Sequence, residues 1–291
     1  MVKASDRSAI DAVRPTRVVV LVDASPDALH ALDMAADLAR RHRVPLLAVS
    51  VEEPDRVRSA AFSFAREIGA VSGSIRPIDE ARWSRHRQSA PASIRRAIER
   101  AAEARNVAWE LVVLRGRLVD EVLALSEPGD FLMLGRVGWS MRLGRRLGRT
   151  TLALAREAVG TVHICSAAPL RDRGRIAVLV EDFDSAEAML TAAAGLASAM
   201  ALDLVVFLAP AVGDARSLET WASVIENFGS RWRLRKLSSM GTGEILRTLA
   251  EEGAVELVAG RGGAWLSSPA AARLLAHWRM PVLIVPGGPD E

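Results

Sequence analysis

The chain of 291 residues has no tyrosine, a single cysteine (Cys165) and only two lysines, Lys3 and Lys236. One thiol excludes an intramolecular disulfide and suits a reducing compartment. No apolar run approaches the ~20 residues that cross a bilayer. The opening residues 1–8 have no apolar core of the kind a secretory signal needs. These absences predict a cytoplasmic protein with no membrane partner. The net charge of +3 is modest, and the basic character comes almost wholly from arginine. Basic residues do not alternate with the aromatics on which single strands stack, so no nucleic-acid partner is expected. Catalytic signatures are missing as well. There is no Gly-x-Ser-x-Gly, His-Glu-x-x-His or Cys-x-x-Cys, and His30, His42, His86, His163 and His277 do not cluster. Neither a catalytic residue nor a metal-ligand set is identified.

What is present is an alternation of strand and helix signals, in a chain long enough for two domains. Arg17–Val22 reads as a strand ending at Asp23. Ser25-Pro26-Asp27 follows as an N-cap with proline at the first helical position. Ala28, Leu32, Ala35, Ala36 and Ala39 then recur at helical spacing. Leu46–Val51 is a second strand; 112–114, 131–134 and 162–165 are three more, with helices expected at 120–126 and 150–158. Strands alternating with helices predict an α/β fold with a parallel sheet and helices on both faces.

The same order restarts after 169–174, a polar stretch that reads as a linker. Ile176–Val180 and Glu181 overlay Val18–Val22 and Asp23 at an offset of 158 that runs without a gap to Val51 and Ala209, with ten identities in 34 positions. All ten are Ala, Leu or Val, so the shared order of strand, acid, amphipathic helix and strand is the stronger sign of duplication. Later, 255–260 matches 130–135, and 281–285 matches 160–164. The expected organisation is a tail (1–14), a first domain (15–168) with an insertion (55–93), the linker (169–174) and a second domain (175–288). In the insertion, Ala60–Ile68 has helical spacing and Ser72-Gly73-Ser74 breaks it. The segment could be a lid, a partner surface or helical padding over the sheet, and padding is the simplest.

One glycine pattern stands out: Gly135-Arg136-Val137-Gly138, nine residues, then Gly148-Arg149-Thr150. It follows the strand Phe131–Leu134 and opens into the helix-like 151–158. A strand, a glycine loop and a helix N-terminus form an anion site, because glycines let backbone N–H groups approach a phosphate and the helix dipole favours negative charge. Arg136, Arg142, Arg145, Arg146 and Arg149 lie in this segment. The alternative is that the glycines only make turns and the arginines are a solvated loop.

A strand ending in Asp, Gly-x2-Gly-x9-Gly before a helix and a short final strand together resemble the universal stress proteins, over nearly the whole chain apart from 55–93. The resemblance implies two tandem Rossmann-like domains, each a five-stranded parallel sheet in the order 3-2-1-4-5, with a ligand crevice at the switch point beyond the first and fourth strands. It also implies ATP or AMP there, with Mg2+ if ATP. Asp23 would contact the ribose or the metal-phosphate region, the backbone at Val51 the adenine, and Gly135, Gly138 and Gly148 the phosphates. The family places Ser or Thr after the last glycine; here Arg149 stands there and Thr150 is one place late. Arg136 and Arg149 could neutralise phosphate charge instead.

In the second domain Glu181 replaces Asp23 and Ala209-Pro210 replaces Val51-Glu52. Gly260–Gly263 begins the motif, but the loop to Ser268 is shortened and Pro269 follows, so no nucleotide is expected there. The resemblance further implies association through the fifth strands, 162–165 and 282–285, as an intrachain pseudo-dimer, with homodimers through other surfaces. Three readings stay open. The protein is a nucleotide-binding stress-type regulator, or it has the same fold without nucleotide and acts through an unidentified protein partner, or it is at most a weak ATPase.

Overall fold

The computed structural model describes residues 15–23, 25–52, 66–68, 75–77, 80–136, 149–166, 174–183, 185–212 and 216–287. These fall into two compact units, Pro15–Glu157 and the residues from Ala158 onward.

The first unit begins with β1 (Arg17–Leu21), α1 (Pro26–His42) and β2 (Leu46–Glu52). After a short antiparallel pair, β3 (Arg66–Ile68) and β4 (Ile75–Pro77), it continues with α2 (Glu80–Glu103), β5 (Trp109–Arg115), α3 (Leu118–Leu125), β6 (Asp130–Gly135) and α4 (Arg149–Glu157). Its parallel strands run in the order β5-β2-β1-β6, the expected 3-2-1-4. Right-handed crossovers put α1 and α2 on one face and α3 and α4 on the other. The contacts agree: α1 packs on α2, and α3 on α4.

Local chemistry accounts for these elements. Ser25 Oγ accepts the Ala28 N–H at 3.2 Å, Pro26 occupies the first turn, and Arg43 at φ 56° closes α1 in the left-handed region. Val18–Val20 and Leu46–Val49 are buried without alternation, as strands covered on both faces are. At the amino ends of β1 and β6, Arg17 pairs in register with Asp130. Its guanidinium donates to both carboxylate oxygens, at 2.6 and 2.9 Å, and to the Leu125 carbonyl at 2.7 Å.

The insertion differs from its sequence reading. Arg66–Ile68 is a strand, not part of a helix; Ile68 pairs with Ile75 and Glu67 with Arg76. The cross-strand ladder overrides the local spacing, which carries no information about a partner several residues away. Residues 60–65 and 72–74 lie outside the described residues. Beyond the insertion, Ile94, Ile98, Ala101 and Ala102 of α2 are buried and the helix packs on α1 and β5.

The second unit contains β7 (Thr161–Cys165), β8 (Arg175–Val180), α5 (Ala186–Ala199), β9 (Asp203–Leu208), α6 (Arg216–Glu226) and β10 (Trp232–Lys236). It ends with α7 (Thr242–Glu251), β11 (Ala254–Gly260), α8 (Ala264–Ser267), α9 (Pro269–His277) and β12 (Val282–Val285). Its order β10-β9-β8-β11-β12 is again 3-2-1-4-5. The fold is therefore α/β, with two tandem Rossmann-like domains. The fifth strands do pair: β12 runs antiparallel to β7, with Val282 opposite Ile164 and Ile284 opposite Val162. That ladder groups β7 with the second unit, so the compact boundary falls at 157/158, ahead of the linker. Residues 167–173 of the linker lie outside the described residues.

Candidate functional site

In the first unit, β1 and β6 run side by side with Val20 opposite Met133 and end together, so that Asp23 and Gly135 reach the same end of adjacent strands. Val51 lies one residue before the end of the neighbouring β2, and the Val22 N–H donates to the Val49 carbonyl at 2.8 Å. Along β2 the residues are buried through Val49 and half-exposed at Ser50 and Val51, so Val51 has left the core. Asp23 is half-buried, and its Oδ1 accepts the Ser25 N–H at 3.0 Å in a turn that leads into α1.

Gly135 has a packing reason to be glycine. A side-chain carbon there would meet the backbone N of Ala28 and the carbonyl carbon of Asp27, both at 2.9 Å, so the first turn of α1 lies directly against it. Thr151, in the first turn of α4, hydrogen-bonds from its hydroxyl to the Gly135 carbonyl at 3.5 Å. The first turn of α4, with no acidic residue in it, thus meets the end of β6 at Gly135. Thr150 is half-buried there. Arg136 is 5% exposed, set inside the protein and not on the loop's rim. Gly138, Gly148 and the side chain of Arg149 lie outside the described residues, as do Arg142, Arg145 and Arg146. Among the described residues no group of His, Cys, Asp and Glu could hold a metal. A surface cleft of about 240 Å³ lies elsewhere, between α1 and α2, lined by Leu29, Asp33, Arg100 and Arg105 among others.

The second repeat has the same frame and different contents. Ser268 caps α9, its Oγ accepting the Ala271 N–H at 3.3 Å with Pro269 next, as the spacing predicted. The shortened loop forms α8, and the Trp265 N–H donates to Glu181 Oε1 at 2.8 Å. The other carboxylate oxygen lies where a side chain on Gly263 would sit. A carboxylate of the protein therefore occupies the space beside Gly263. Burial pushes the Glu181 pKa up, against the Trp265 hydrogen bond and with help from Asp182. Arg261, the counterpart of Arg136, donates from its backbone N–H to the Val285 carbonyl at 2.8 Å and from its guanidinium to the Gly160 carbonyl at 2.7 Å. Its burial lowers its pKa to about 10. In this copy the arginine after the strand-end glycine is a strut for the fifth strands.

One contact was missed from sequence. Glu256 interrupts the apolar strand 254–260, a signal that a partner was needed, and His163 supplies it at 3.0 Å. All of β7 is buried on both faces.

The universal stress protein family model matches residues 15–166, more than half of the chain. The chain belongs to the universal stress protein family. Among solved structures, a universal stress protein from Archaeoglobus fulgidus DSM 4304 is 15% identical with a TM-score of 0.69, covering 96% of this chain and 99% of that one. A Pseudomonas aeruginosa UCBPP-PA14 protein assigned to the same family is 13% identical with a TM-score of 0.59, covering 95% of each. At these identities both show the tandem fold alone. A universal stress protein in complex with cAMP is 25% identical with a TM-score of 0.36, over 51% of this chain and 95% of that one. No curated protein matches the sequence. Among the described residues of this family member, no helix is long and apolar enough to cross a membrane.

Proposed function

We propose that this universal stress protein is a regulator whose amino-terminal repeat binds ATP or AMP, with Mg2+ when the ligand is ATP, and whose carboxyl-terminal repeat binds no nucleotide. The supporting observation is the contrast between equivalent ends of the two sheets. In the first, Asp23 follows β1, Val51 lies near the carboxyl end of β2, and the acid-free first turn of α4 meets Gly135 at the end of β6. In the second, Glu181 is hydrogen-bonded into the loop. Asp23 would face the ribose or the metal-bound phosphates, the Val51 backbone the base, and the amides of 148–151 the phosphates.

A thermal-shift titration with ATP, AMP and cAMP, with and without Mg2+, tests the reading. Ligand at about 100 times its dissociation constant stabilises by about 2.7 kcal/mol. Asp23→Ala is expected to abolish the shift and Glu181→Ala to leave it. No shift at millimolar nucleotide ends the proposal. That outcome would favour the second reading, protein contacts without nucleotide, which the burial of Arg136 and the arginine at 149 support. Weak ATP hydrolysis enters only if phosphate release is observed and lost in Asp23→Ala.

A further inference from the structure

Every residue of β7 and β12 is buried. A strand equally apolar on both faces carries no alternation from which a neighbour can read its register. On hydrophobicity alone, the fifth strands could pair with each other, slip, or pair with the same strand of a second copy. Two polar side chains break that degeneracy. His163 on β7 stands opposite Leu283 of β12. On the other side of β12, Leu283 pairs with Val258 of β11, two residues from Glu256 and so on the same face. Nε2 of His163 and Oε1 of Glu256 are 3.0 Å apart, and the side chains are 9% and 3% exposed. Strands two apart in a sheet are separated by about 10 Å. The two side chains therefore bridge over β12 and meet only when β12 is seated between β7 and β11 in this register.

Cys165, on the same face of β7, brings its Sγ to 3.9 Å from His163 Nδ1. Burial opposes charge on the imidazole; Cys165 and Glu256 outweigh it and hold the His163 pKa well above its ordinary value.

We propose that the His163–Glu256 pair is the specificity determinant of the fifth-strand junction: it selects β7 as the partner of β12, fixes their register, and disfavours pairing of either strand with its counterpart in a second copy. A β12–β12 pairing between copies would bury two Glu256 carboxylates with no imidazole. A β7–β7 pairing would bring two imidazoles together with no carboxylate. Charges buried without a partner are strongly unfavourable, and choice of partner and register is the best-attested use of a buried polar pair. The inference does not depend on nucleotide binding.

The test is refolding of the full chain from denaturant at high concentration, comparing wild type with the double variant His163→Leu/Glu256→Leu. Masses are read by size exclusion with light scattering, and strand exchange by native mass spectrometry of co-refolded light and heavy isotope-labelled copies. The double variant is expected to fold and to give a several-fold larger fraction of exchanged dimers and higher species. A role in stability alone would change the melting temperature without changing this distribution. A mass distribution equal to that of wild type overturns the proposal. Should the double variant not fold, Glu256→Gln, which keeps shape and a hydrogen bond but not the charge, is measured the same way. A several-fold rise in exchange then supports the proposal, and no rise overturns it.

Discussion

Gly135 shows how one residue can be required for a reason its motif does not announce. Its Cα faces the backbone of Asp27 and Ala28, and a main chain at the start of a helix cannot move aside as a side chain can. Gly135→Ala is expected to destabilise the ligand-free protein by about 1–3 kcal/mol, read as a fall in the urea midpoint. An unchanged midpoint would mean that α1 shifts freely. Gly260, its counterpart, faces the Met189 sulfur at 2.9 Å, the far part of a flexible side chain, so the demand for glycine is weaker in the second copy. Glu181 gives a second prediction. Glu181→Ala leaves the Trp265 N–H without its acceptor and should cost about 1–3 kcal/mol. Glu181→Gln, whose amide oxygen still accepts, should cost less in the same melt; equal losses would show that the hydrogen bond is not what matters. At this scale the sequence was only partly legible. Asp23 and Glu181 were recognisable as counterparts, but not that one leads into a turn while the other closes a loop. A residue letter does not say which amide lies within reach.

Among the elements, α7 carries a pH-sensitive start. Ser238 donates to Glu244 Oε1 from both its N–H and its hydroxyl, each at 2.7 Å, and Ser239 Oγ donates to Oε2 at 2.8 Å. The Ser238 and Ser239 hydrogen bonds lower the Glu244 pKa from 4.5 to about 2. A depressed carboxylate pKa adds stability that is full above the unfolded value and is lost as pH falls through the folded one. Between pH 4.5 and about 2, the wild-type melting temperature should therefore fall more steeply than that of Glu244→Gln; parallel curves would refute the linkage. Elements built from local signals were readable in advance. The proline and serine at 25–26 and 268–269 mark helix starts, and continuous valine and leucine runs mark buried strands. The β3–β4 pair was not readable, because Arg66–Ile68 is a strand only by virtue of Ile75–Pro77.

For the whole molecule, duplication was the most legible feature. A fixed offset between two strand-helix-strand runs survives with ten of 34 positions identical, and the strand order came with the family resemblance. What it could not carry was the partition into compact units, since that follows from the β7–β12 ladder and from a histidine and a glutamate 93 positions apart. This partition makes chain continuity and folding unit different things. A protease site introduced within 167–173 would sever the backbone after β7, yet β7 would remain stitched to the fragment from which it had just been cut. The two pieces should co-elute on gel filtration in native buffer and part only in denaturant. Pieces that separate without denaturant would show that the ladder is too weak to hold them. A gene split at this linker would then express as two polypeptides that find each other, a ready-made fragment-complementation pair.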